Sequence, residues 1–238
     1  MMNGETLLKA LTAAGLGSRR RLADAIKQGK VTLNGQVVAD FRQPVLENDV
    51  IAIDGREVSL KAEAKTYIML NKPVGILSAS IDKRGGRIAL DILPPQYRRL
   101  RLYPAGRLDK DSSGLLLLTN DGGLTYRLTH PRFGQEKEYL IYIKEELTAD
   151  DIATLKSGLE LDDGPTAPAG VRQVSEAPYN YSVTIHEGRK RQVRRMLAAL
   201  GCPVLALKRV RLGNLRLGGL KEGEVRALSA AEAGKTLE

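Results

Sequence analysis

Residues Gly106–Gly123 read GRLDKDSSGLLLLTNDGG, and the rest of the chain is organised around them. Leu115–Leu118 form a continuous apolar run of four, closed at both ends by turn-forming residues. Such a run predicts a strand buried on both faces. Asp109 and Asp111 lie just ahead of it, in a polar loop between Gly106 and Gly114. Glycine lets that loop bend sharply, and a rigid strand behind a polar loop can aim a side chain. The residue types allow three readings. One is a solvated turn in which Asp and Ser bond their own backbone. A second is a calcium loop, which fails because Asn120 stands where a bidentate Glu is required and the Leu run replaces further ligands. The third is catalysis by one carboxylate, with Arg107 and Lys110 beside it to hold an anionic substrate.

Composition narrows the partners. The chain has 238 residues, 42% of them hydrophobic, enough for one or two domains with a sizeable core. Its formal charge of +9 points to a polyanion such as nucleic acid, or to a merely basic enzyme. A single cysteine, Cys202, excludes a disulfide framework and suits a reducing cytosol. Two separated histidines, His130 and His186, offer no metal-ligand spacing. There is no signal-peptide pattern and no membrane-spanning run, so the expectation is a cytoplasmic protein without a membrane partner.

The N-terminal part reads as a small module. Leu7, Leu8, Leu11 and Ala14 fall at helical spacing, with Gly15 as the stop. Ser18 predicts an N-cap for a helix over Arg19–Gln28, closed by Gly29. Asn34-Gly35, between alternating apolar residues, predicts a tight hairpin, and Asp49–Ile53 with Asp54-Gly55 adds more strand. Arg19, Arg20 and Arg21 at a helix start, with Lys30 beyond, favour phosphate contact over a solvated basic face. The polar stretch around Ser59–Lys65 reads as the linker, giving residues 1–60, a linker at 61–66, and a second domain over 67–238.

In the second domain Tyr67–Leu70 predicts a strand that leads into the turn Asn71-Lys72-Pro73-x-Gly75. Lys72 could touch RNA or simply belong to the turn. Leu124–Leu128 predicts a short helix, and Ala149–Gly158 another. Glu138–Lys144 alternates as a strand, with Tyr139, Ile141 and Ile143 on one face. Tyr181–Ile185 is a further strand. The segment Lys144–Asp163 holds two lysines against seven acids and is expected to face away from RNA. Val193, Met196, Leu197 and Leu200 make an amphipathic helix that ends at Gly201, with Arg191, Arg194 and Arg195 sharing another face. From Glu187 to Arg216 nine basic residues stand against Glu187 alone.

At full length, Gly-Arg-Leu-Asp109-x-Asp-Ser-Ser-Gly-Leu-Leu-Leu-Leu-Thr-Asn-Asp-Gly resembles the signature of bacterial RNA pseudouridine synthases. The likeness is to the two kinds that modify ribosomal RNA, type A for the small ribosomal subunit (16S) and type B for the large one (23S). Leu-Asn-Lys-Pro-x-Gly, Lys137-x-Tyr139 and Glu187-Gly-Arg-Lys-Arg-Gln-Val-Arg-Arg-Met resemble three further motifs of that family. Leu161-Asp-Asp-Gly-Pro-x-x-Pro168-Ala169 looks closer to type B. Residues Gly15-Leu-Gly-Ser-Arg-Arg through Gly29-Lys30-Val31 and Asn34-Gly35 resemble an S4 RNA-binding domain, with Thr6 where that family often has Arg.

The resemblance implies an α+β catalytic domain with a mixed, mainly antiparallel sheet flanked by helices, behind an N-terminal S4 domain. It implies isomerisation of a uridine to pseudouridine in ribosomal RNA, the 23S molecule before the 16S. Asp109 would be the catalytic carboxylate, Tyr139 would stack on the target uracil, and Arg194 would be the basic partner of Asp109. Arg107 would hold the displaced backbone, with Arg189 and Arg191 as further RNA contacts. The partner would be ribosomal RNA or a ribosomal-subunit precursor, the state a monomer. The reaction transfers no electron or phosphoryl group, so neither a cofactor nor a metal is expected. A non-catalytic RNA-binding assembly factor is the alternative, weakened by the presence of Asp109, Tyr139 and Arg194.

Overall fold

The structure is a computed structural model that describes residues 5–82 and 85–237. Its backbone contacts divide the chain into two compact units, Met1–Ala64 and Lys65–Glu238.

In the first unit helices Leu7–Ala13 and Arg19–Lys27 cover a four-stranded sheet. The Ser18 hydroxyl accepts from the Arg21 N–H at 3.1 Å, satisfying one of the free donors of the second helix. Strands Val31–Leu33 and Gln36–Val37 are joined by Asn34 and Gly35, at φ 51° and 80°, as a tight two-residue hairpin turn demands. Leu7, Leu11, Leu22, Ile26, Val31 and Ile51 make the core. The segment read as a linker is partly held: the Glu63 N–H donates to the Ala13 carbonyl at 3.0 Å.

The second unit is built on a nine-stranded sheet with helices, an α+β arrangement. Its main path runs Gly170–Glu176, Tyr179–Ile185, Lys137–Tyr142, Ala206–Leu212, Ser113–Thr119, Tyr67–Lys72, Val225–Ala227. One pairing is parallel, between Ala206–Leu212 and Ser113–Thr119; the other main-path pairings are antiparallel. The Leu run is the centre. Leu116 and Leu118 pack into one apolar cluster, Leu115 and Leu117 into the other, and all four are fully buried.

The two ends of that strand have different work. At its exit Asp121 caps the helix Gly122–Thr129, its carboxylate accepting from the Gly123 and Leu124 N–H groups. It also accepts from the Tyr67 hydroxyl at 2.9 Å and pairs with Lys65. Burial and this carboxylate push the Tyr67 phenol up to about 12. Asn120 accepts from the Thr66 N–H at 2.8 Å. Thr119-Asn-Asp-Gly-Gly is therefore a structural latch.

Candidate active site

At the entrance, the loop carrying Asp109 is fixed on both flanks. Leu108 is buried, and its N–H and C=O both bond the hydroxyl of buried Ser78, at 3.1 and 3.0 Å. The carbonyl of Lys110 accepts from the Gly75 N–H at 2.7 Å. Lys72, fully buried, sends its ammonium to the Pro73 and Ile76 carbonyls, both at 2.8 Å, and so holds that turn. Burial pushes Lys72 down to about 8, opposed by Glu222, Asp111 and Asp109. Lys72 thus belongs to the turn, its ammonium spent on two backbone carbonyls.

Gly114, second in the buried strand, has φ 105°, and a Cβ there would run into the backbone of Arg209. This position needs glycine on both counts. The close approach locks the loop to the neighbouring strand Ala206–Leu212.

Held in this way, Asp109 faces a cleft of about 840 Å³ lined also by Arg107, Lys110, Lys137, Tyr139, Arg189, Arg191, Arg194 and Arg209. The half-buried Asp109 carboxylate makes no hydrogen bond or ion pair with any described residue. Tyr139 is buried on the wall of the same cleft. Arg107 and Lys110 are exposed at its edge, with no carboxylate within 4 Å among the described residues.

Arg194 touches the Asp109 loop through Asp111. Its Nη2 donates to the Asp111 carbonyl at 2.8 Å, its Nη1 to the Val204 carbonyl at 2.7 Å, and its Nε lies 3.4 Å from the Asp111 carboxylate. Its ion pair is therefore with Asp111, two residues along the loop from Asp109. Burial pushes its ionisation down, opposed by Asp111 and, less strongly, by Asp109. Arg191 grips the same carboxylate with two parallel bonds, at 3.0 and 2.8 Å. These bonds hold the Asp111 carboxyl below its usual range. Arg191 reaches it from a left-handed backbone, φ 52°, at the N-cap of helix Gln192–Ala199. A non-glycine residue there is uncommon and signals an imposed geometry.

Two other basic residues are less free than composition suggests. Arg189 bonds Asp163 and the carbonyls of Gly164 and Pro165, and Arg195 pairs with Asp162 and Asp163. The end of the acidic segment, expected to face away from RNA, instead neutralises part of the basic motif. Gln192, buried, returns to Glu187 and to the Arg189 N–H, which fixes the loop between them. Arg191, Arg194 and Arg195 do not act as one face: the first two serve Asp111, the third serves residues 162–163.

Sequence reasoning missed Arg209. Only 2% of it is exposed, and its Nε donates to the Leu115 carbonyl at 2.8 Å. Its Nη2 is buried without a partner. The available signal was its place two residues after Leu207, in register with the buried face.

In the first unit, Arg19, Arg20, Arg21 and Lys30 are exposed, with no ion pair among the described residues. The first turn of that helix holds no acid. Three cations at a helix N-terminus oppose the macrodipole, so helix stability does not account for them.

The RNA pseudouridylate synthase family model matches residues 66–199, and the S4 domain model matches residues 5–51. The chain belongs to the RNA pseudouridylate synthase family. Among its pseudouridylate synthase relatives, ribosomal large subunit pseudouridine synthase B of Bacillus subtilis is 40% identical, covering 96% of this chain and 93% of the relative. The Vibrio vulnificus protein of the same name is also 40% identical, over 90% of this chain and 68% of that one. A crystal structure of a pseudouridylate synthase superposes with a TM-score of 0.69 at 32% identity, covering 98% of this chain and 99% of the other.

Proposed function

We propose that this protein converts a specific uridine of 23S ribosomal RNA, in the large ribosomal subunit, into pseudouridine, with Asp109 as the catalytic carboxylate. One observation supports this reading: a carboxylate with no hydrogen bond or ion pair among the described residues, on a loop fixed at both flanks, opening on a cleft shared with a buried tyrosine and with Arg107, Lys110, Lys137 and Arg209, which pair with no carboxylate among the described residues. The two relatives named as ribosomal large subunit pseudouridine synthase B support the choice of ribosomal RNA.

The target nucleotide leaves its stack to enter the cleft. Tyr139 stacks on the uracil, an interaction worth about 1–3 kcal/mol per base. Arg107 and Lys110 hold the displaced backbone. Asp109 acts in its charged form, by attack at C1′ or by removal of a ribose proton. Arg194 and Arg191 serve as positioning residues, anchoring Asp111 and hence the loop. Arg189 shapes the cleft wall through residues 163–165. Arg19, Arg20, Arg21 and Lys30 bind RNA phosphates. The protein works as a monomer in the cytoplasm, on ribosomal RNA or a ribosomal precursor particle, with no nucleotide cofactor.

The test is tritium release from C5-labelled uridine in ribosomal RNA. Asp109→Asn should abolish release while leaving RNA affinity nearly unchanged. Undiminished release by the variant removes Asp109 from the mechanism. No release by the wild-type protein, with RNA binding intact, leaves a non-catalytic binding factor.

A further inference from the structure

The strand Ala206–Leu212 carries an irregularity beside the cleft. Across from Lys137–Tyr142, Glu138 opposes Arg211 and Tyr139 opposes Arg209, so Val210 is one residue too many. In a regular strand residues 209 and 211 would point to the same face. The bulge separates them: Arg211 goes with Glu138, Arg209 with Tyr139.

The consequences for the two guanidinium groups are opposite. Arg211 pairs with Glu138 at 3.0 Å and Glu136 at 2.9 Å. Arg209 meets no carboxylate within 4 Å among the described residues, although it is almost completely buried. Beside it on the cleft wall, Lys137 donates to the Gln135 carbonyl at 2.8 Å and likewise has no carboxylate within 4 Å. Burial pushes the Lys137 ammonium down to about 8; Arg209 adds to this and Glu187 opposes it. Holding the buried Arg209 and the half-buried Lys137 out of water without counter-charge is expensive. Arg209 also keeps a buried N–H group with nothing to bond.

We propose that Arg209 and Lys137 form a cationic floor that takes the negative charge of the uracil when its N1–C1′ bond breaks. The inference rests on the reaction proposed above. The electron pair of the broken bond stays with the base, and the charge spreads from N1 to the O2 and O4 carbonyl oxygens. Both side chains are pure donors, suited to those oxygens. The base then turns, C5 supplies the pair that bonds to C1′, C5 loses its proton and N1 gains one. The isomerisation balances without a further reactant. Fixed donors in a water-poor site act most strongly where charge develops.

The test compares single-turnover rates on two ribosomal RNA fragments, one with uridine and one with 5-fluorouridine at the target. Fluorine stabilises the uracil anion, so the fluorinated base needs less help to leave. Lys137→Met, partly exposed and tolerant of change, should slow N1–C1′ cleavage of uridine about 100-fold. RNA dissociation constants should stay within about 2-fold. The deficit should be at least about 10-fold smaller on 5-fluorouridine. Lys137→Arg, which keeps the charge, should recover part of the rate, and Arg209→Lys should retain more of it than Arg209→Met. Rates of Lys137→Met near wild type, or equal deficits on both substrates, overturn the proposal while leaving the reaction standing. A wild-type protein that cleaves neither substrate overturns the reaction itself.

Discussion

Arg209 and Arg211 stand two residues apart and answer to opposite rules. Behind the sheet, Arg211 completes a network with Glu136, Glu138, Arg172 and Ser182. Burial alone would raise the Glu138 carboxyl, but bonds from Arg172, Arg211 and Ser182 outweigh it and hold Glu138 at about 2. In front, Asp109, Arg209 and Lys137 share a cleft without pairing to one another. In the back network each of these charges has an opposite partner, which contributes stability. The front leaves charges unsatisfied, which costs stability and reserves them for a ligand. A sheet that had to do both jobs with one strand required a bulge between the two arginines.

The largest test of this comparison strikes both faces. Gly114→Ala adds a Cβ against the Arg209 backbone at φ 105°, so the loop and the strand must separate. A loss of more than about 3 kcal/mol is expected in urea unfolding. A variant as stable as wild type would mean that the strands are not packed this closely.

Glu138→Gln breaks the back alone. Removing one partner leaves the half-buried Arg211 with only exposed Glu136, at a cost of about 2 kcal/mol, between the surface and buried limits. Its pH dependence has a definite sign. The folded carboxyl lies below its unfolded value of 4.5, so its contribution is complete above that pH. It disappears as pH falls towards about 2. The stability gap between wild type and Glu138→Gln should therefore close in acid. Turnover at neutral pH should stay within about 2-fold, because Glu138 lies on the far face. A large loss of turnover with unchanged stability would reverse the assignment of the two faces.

Asp111→Asn disturbs the front without touching Asp109. The Arg191–Asp111 pair is half-exposed and the Arg194–Asp111 pair more buried but longer at 3.4 Å, so losing both should cost about 1–2 kcal/mol. Loosening the loop that aims Asp109 should lower kcat about 10-fold, with KM nearly constant. An equal fall in RNA affinity would instead make Asp111 and its arginines part of the binding surface.

Much of this was legible in the sequence. The Leu run announced a strand buried on both faces, and both clusters receive it. Asn34-Gly35, Ser18 and Gly201 marked their turn, cap and stop because their chemistry is local. Asp109 and Tyr139 stood out, and the structure brings them to one cleft. What sequence could not show was pairing. Arg194 reads as a partner for Asp109; the αL turn at Arg191 and the helix after it bring the direct bonds of both arginines to Asp111, with Asp109 within electrostatic range. The acidic segment looked distant because its contacts with Arg189 and Arg195 cross more than twenty residues of chain. Arg209 was counted as one charge among nine, since a bulge depends on register with a strand about seventy residues away.

The smallest effect gives the finest test of what burial contributes. Arg172 and Arg211 both bond the Glu138 carboxylate, at 2.8 and 3.0 Å, yet the Arg172 side chain is 64% exposed and that of Arg211 14%. Distance alone predicts equal worth. Exposure predicts otherwise, because water and salt screen the outer pair and its long side chain loses entropy when held. Arg172→Ala should cost about 0.5 kcal/mol, and less still in 1 M salt. Arg211→Ala, which leaves the buried Glu138 carboxylate with only the exposed Arg172 and the Ser182 hydroxyl, should cost several times more and respond little to salt. Equal losses from the two substitutions would mean that the stability of the back network resides in contact geometry rather than in its shielding from solvent.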